Sequence, residues 1–86
     1  SNRESGEGYS DIQIKLKKEK MGIVIEVKYA GTGKLETKCQ EALRQIAAKK
    51  YAQRLRQEGM QAILSYGIAC RRDDCRVMLV KEESNT

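Results

Sequence analysis

Apolar and polar positions alternate through the first third of the chain. Ile12, Ile14 and Leu16 are set against Asp11, Gln13 and Lys15. Side chains on a strand repeat with period two, so Tyr9 to Lys17 reads as a half-buried strand. Lys18 to Lys20 is a charged turn. The run Met21 to Tyr29, MGIVIEVKY, alternates Met21, Ile23, Ile25 and Val27 with Gly22, Val24, Glu26 and Lys28. It is apolar enough on both faces to be a buried strand, and it pairs back on the first as a hairpin. AGTG at Ala30 to Gly33 breaks it. From about Lys34 to Glu58 the period changes. Leu35, Cys39, Ala42, Leu43, Ile46, Ala47 and Leu55 recur at spacings of three and four, which predicts one long helix. Its ~24 residues would span about 36 Å, with Gly59 at its C-terminal end. Gln61 to Cys70 is a nearly continuous apolar run, the pattern of a central strand covered on both faces. Arg71 to Asp74 is a turn, Cys75 to Lys81 a last strand, and Glu82 to Thr86 a polar tail. Ser1 to Gly8 is a polar lead-in.

This ββαββ order predicts a single mixed α/β domain over residues 1–86. The stretch from the second strand through the helix to the third is a β-α-β crossover, which makes those two strands parallel. The outer pairs are antiparallel hairpins, so the sheet has about four strands. One helix can cover only one face. The other, apolar where strands two and three are central, calls for an upstream element, a partner domain or a second copy.

Composition narrows the chemistry. The 86 residues carry a net charge of +5, which favours a polyanionic partner. There is no His, which removes Ser-His and Cys-His catalysis and His-ligated zinc. Cys39, Cys70 and Cys75 have no metal-ligand spacing and read as thiols of a reducing compartment, though Cys70 and Cys75 can face each other across a hairpin. No apolar run is long enough for a membrane span and no signal peptide is evident. The expected location is the cytoplasm, and the abrupt start at SNRES suggests a fragment of a longer protein.

The candidate chemistry lies in the first hairpin. Glu26 and Lys28 point the same way, about 7 Å apart along their strand. Charges in an apolar strand need each other, a metal ion or an anionic substrate. A hairpin turning at Lys18 to Lys20 brings Asp11 beside them, with positions summing to about 38 and Asp11 opposite Val27. Two carboxylates with nearby carbonyls suit a hard cation such as Mg²⁺ or Mn²⁺, and Lys28 can stabilise charge developing on a phosphate. Without further context, Glu26 and Lys28 would read as a salt bridge at a strand end.

Asp11, then Glu26-Val27-Lys28, then a helix carrying Gln45 resembles the PD-(D/E)XK nuclease superfamily. The stretches NRESGEGYSDI, GIVIEVKYA, EALRQIAAKKYAQRL and ILSYGIAC are similar to the nuclease-like domain at the C-terminal end of bacterial proteins with an AAA-ATPase-like front half. The resemblance implies a restriction-endonuclease-like core, with Asp11 and Glu26 as metal-binding acids and Lys28 as the catalytic lysine. It also implies a polar role for Gln45 on the inner face of the helix. Tyr51 follows a turn and a half later. The implied activity is metal-dependent hydrolysis of nucleic acid, DNA before RNA. The alternative is an inactive nucleic-acid-binding, dimerisation or regulatory module of the same fold, attached to its ATPase-like domain. Two features depart from the family's pattern. The first core helix is absent, leaving Glu4 as a poor substitute for the acid it often bears, and Ser10 stands where Pro is common. Lys49, Lys50, Arg54 and Arg56 read as a solvated helix face. Gly31 and Gly33 are too commonplace a pair to mark a nucleotide site.

Overall fold

The computed structural model describes residues 9–83. The lead-in segment and Glu4 lie outside the described residues. The order is β1 (Tyr9–Leu16), β2 (Met21–Tyr29), α1 (Leu35–Ala48), α2 (Tyr51–Gln57), β3 (Ala62–Arg71) and β4 (Asp74–Glu83). The four strands form one sheet in the order β1-β2-β3-β4. The β1–β2 and β3–β4 pairs are antiparallel and β2–β3 is parallel, as the crossover requires. No helix among the described residues is long and apolar enough to cross a membrane.

The expected single helix is two. Lys49 ends α1, and Lys50 takes a left-handed conformation, φ 60°, before α2 begins. A non-glycine residue pays about 1 kcal/mol or more for that conformation, and neither Gly nor Pro announces it. Gly59, with φ 98°, does follow the last helical turn as expected. The strand ends also move. β4 starts at Asp74 and runs through Glu82 and Glu83, so the β3–β4 turn is only Arg72–Asp73, and two residues expected in the tail pair with β3.

Both helices lie on one face of the sheet. Gly22, Val24, Glu26 and Lys28 of β2, and Ile63, Ser65, Gly67 and Ala69 of β3, are buried beneath them. Val24, Ile46, Leu55, Met60 and Ile63 form the main core, and Ala30, Leu35, Cys39 and Ala69 a second cluster towards the start of α1. Gly67 permits this contact. A Cβ there would lie 2.5 Å from the Cys39 carbonyl oxygen and 2.9 Å from Leu43 Cγ, so α1 rests directly on bare strand.

The opposite face corrects the expectation that β2 and β3 are buried on both sides. Met21, Ile23, Ile25 and Val27 are only half-buried, as are Leu64, Tyr66 and Ile68. They continue into Ile12 and Ile14 of β1 and into Val77 and Leu79 of β4, which are 57% and 51% exposed. Residues paired across strands share a face. The register thus aligns Ile12, Ile25, Tyr66 and Leu79 in one apolar row.

Candidate functional site: an acid pair bridged by a lysine

Register decides which side chains meet. Asp11 pairs with Glu26, not with Val27, so the pairing sums to one less than expected. The correction matters because directly opposed residues project to the same side. Both carboxylates therefore stand on the helix-covered face. Glu26 is fully buried in the central strand, while the Asp11 side chain keeps 30% of its exposure on the edge strand β1. Lys28 is two residues beyond Glu26 on the same face, 7% exposed, and its charge acts on Glu26.

The helices bring three more groups. Gln45 lies on the inward side of α1, and its Oε1 is buried with no hydrogen-bond partner. Lys49 closes α1 and donates to both acids: its Nζ is 2.9 Å from Asp11 Oδ2 and 3.3 Å from Glu26 Oε1. Tyr51 opens α2 and donates its hydroxyl to the same Asp11 Oδ2 at 2.6 Å. Arg54 braces this junction, donating to the Lys49 carbonyl at 2.9 Å and standing 5.0 Å over the Tyr51 ring.

Lys49 thus belongs to the site and not to a solvated face. A signal for it existed. Four residues on a helix return to nearly the same side, so placing Gln45 inward also places Lys49 inward. Tyr51 carried no such signal. On an unbroken helix it would stand about 200° round from Lys49, and only the left-handed Lys50 turns both towards Asp11.

The electrostatics of the two acids diverge. The Tyr51 hydroxyl, then the Lys49 ammonium, hold the Asp11 carboxyl below its ordinary value. Burial pushes Glu26 up, against the attraction of Lys49. Burial pulls the Lys49 amine down, but its bonds to Asp11 and the charge of Glu26 outweigh this and raise it. Tyr51 is raised, mainly by donating to Asp11.

Do these residues fit a divalent ion? Among the described residues no group of three or more His, Cys, Asp or Glu side chains converges. The donor set is nevertheless all oxygen and anionic. Glu26 Oε2 is buried without a hydrogen-bond partner, and the Asp11 and Glu26 carboxylates already converge on one cation, the Lys49 ammonium. That chemistry fits a hard metal ion held by few protein ligands, with water or substrate oxygens completing the shell. The apolar hollow of about 340 Å³ between the helices and β4, lined by Leu43, Ile46, Ala47 and Val80 among others, includes none of these residues.

The cysteines lie elsewhere. Cys70 and Cys75 are direct partners across the β3–β4 hairpin, as expected, and both are thiols. A thiol hydrogen bond with Cys75, and then burial, pushes Cys70 up to about 11.

No curated protein and no solved structure matches this chain. The family model of the PD-(D/E)XK nuclease superfamily matches residues 1–80. That match spans the acid pair, Lys28, both helices and the whole of β3, and the mixed sheet has the restriction-endonuclease-like form such nucleases share. On this ground the chain belongs to the PD-(D/E)XK nuclease superfamily.

Proposed function

We propose that this chain is a metal-dependent nuclease module that hydrolyses phosphodiester bonds in nucleic acid, DNA before RNA. The observation that carries the reading is the cross-strand pair Asp11 and Glu26, directly opposed and drawn onto a single cation, with Glu26 Oε2 left without a partner. Asp11 and Glu26 would hold Mg²⁺ or Mn²⁺. When bound, such an ion supplies a water of lowered pKa and neutralises charge on the scissile phosphate.

The chain's own groups do the rest. Lys28, buried on the same face as the acids, presents an ammonium that can orient the attacking water and stabilise charge in the transition state. Tyr51 keeps Asp11 ionised and fixes its orientation through a short charge-assisted bond. Gln45 offers a buried carbonyl oxygen with no competing partner. The net charge of +5 favours approach of a polyanion. Plasmid nicking in Mg²⁺ or Mn²⁺ tests the assignment. Asp11→Ala and Lys28→Ala should each slow cutting by about a hundredfold or more. Variants that cut as fast as the parent would remove these residues from the mechanism.

A second reading rests on the same lysine. Because Lys49 already neutralises both acids, the module can be stable with no metal at all, as a nucleic-acid-binding or regulatory unit beside an ATPase-like domain in the cytoplasm. A calorimetric Mn²⁺ titration separates the two readings, since an inactive module shows no saturable uptake that depends on Glu26.

A further inference from the structure

The Lys49 ammonium lies within hydrogen-bond range of one oxygen from each acid. An ion in contact with both of those oxygens needs the same space. We infer that Lys49 is a placeholder cation: it neutralises the acid pair while the metal is absent, leaves when the metal enters, and becomes a contact for the substrate's phosphate. The inference rests on the metal-dependent reading above and adds a residue and an order of events to it.

Three observations support it. Glu26 is fully buried, where an unpaired carboxylate is strongly disfavoured, and beside the charge of Lys28 it is the Lys49 ammonium that donates to its Oε1. The Lys49 side chain is 35% exposed, so it can swing into solvent without crossing the core. It also stands at the break between the helices, beside the exposed Arg54, which bonds the Lys49 carbonyl. A displaced ammonium there stays near the Arg54 guanidinium, where a phosphodiester would supply its new partner. Metal and polyanion should then strengthen each other's binding, and by linkage the effect is reciprocal.

The test is Mn²⁺ titration calorimetry on metal-stripped protein, with folding checked by circular dichroism. Lys49→Met keeps most of the unbranched side chain and removes the ammonium. Lys50→Asn removes a neighbouring charge at a left-handed position that Asn tolerates. The placeholder predicts that Lys49→Met binds Mn²⁺ about tenfold more tightly than the parent, whereas Lys50→Asn changes less than about twofold. Equal affinity in parent and Lys49→Met, with binding lost in Glu26→Gln, would overturn the placeholder and leave the metal site standing. No saturable, Glu26-dependent uptake in either protein would overturn the metal reading and the placeholder with it. If Lys49→Met does not fold, amine acetylation of the parent read by mass spectrometry decides. Lys49 should label faster once Mg²⁺ is added, and an unchanged rate at saturating Mg²⁺ contradicts its displacement.

Discussion

At the scale of single residues, the site is a set of opposed titrations. Asp11 is partly open to solvent, yet it is held ionised by a 2.6 Å bond from Tyr51 and a 2.9 Å bond from Lys49. Its folded pKa lies below the ordinary value of 3.8. The stability it contributes is therefore present above that value and lost as pH falls through the folded pKa. Tyr51→Phe removes the hydroxyl that does most to hold Asp11 ionised. It should lower stability by about 1 kcal/mol near pH 7, at the low end for a bond to a charged group because the pair is partly exposed. Once Asp11 is protonated in both proteins the difference should vanish. Urea denaturation of parent and variant along a pH series checks this, and a gap that persists in acid would mean that Tyr51 acts by packing alone. Glu26 runs the opposite way. Its pKa is raised by burial, so it favours the fold least once ionised, which is the condition a cation relieves.

At the scale of elements, the site depends on how closely α1 can lie on β3. Gly67 is the contact point, and the atoms a Cβ would strike include a backbone carbonyl that cannot rotate away. Gly67→Ala should lift α1 and cost about 2–3 kcal/mol, the upper range for overpacking, measurable as a drop in the urea midpoint. Because α1 carries Gln45 and Lys49, the same substitution should loosen the ion pair. The break at Lys50 is the second such device. It ends α1 where Lys49 reaches the acids and starts α2 with Tyr51 turned the same way, while Arg54 ties the two helices by bonding the Lys49 carbonyl and covering the Tyr51 ring.

At the scale of the whole molecule, both helices sit on one side and leave an apolar face on the other. Val77 and Leu79 on the edge strand β4 are more than half exposed, and Ile12 and Ile14 on β1 extend the patch. A surface of this kind drives association. The 86-residue chain should self-associate with rising concentration in sedimentation velocity. Val77→Thr with Leu79→Lys should weaken that association by about tenfold or more, since each large aliphatic side chain is worth on the order of 1.5–3 kcal/mol when fully buried. A chain that stays monomeric at every concentration would refute the expectation.

Much of this architecture was legible in residue pattern. Period two marked β1 and β2, period 3.6 marked the helical region, and the ββαββ order implied the mixed sheet with its parallel central pair. Asp11, Glu26 and Lys28 stood out because charge in an apolar strand needs a reason. What only the folded chain decided was relative placement. A shift of one residue in register put Asp11 opposite Glu26 in place of Val27, because hairpin pairing is set by turn geometry and by the packing of one face, and the alternating text leaves the exact offset open. The helix break was hidden because AAKKYA has uniformly helix-compatible residues, with no Gly or Asn to mark the left-handed position that Lys50 fills. Strands that looked buried twice proved buried once, since apolar text reports what a face could bury and not whether anything covers it. The residues of the hairpin set what kind of chemistry is possible here; the left-handed break at Lys50 decided that a lysine and a tyrosine, from opposite sides of what would have been one helix, meet on a single carboxylate.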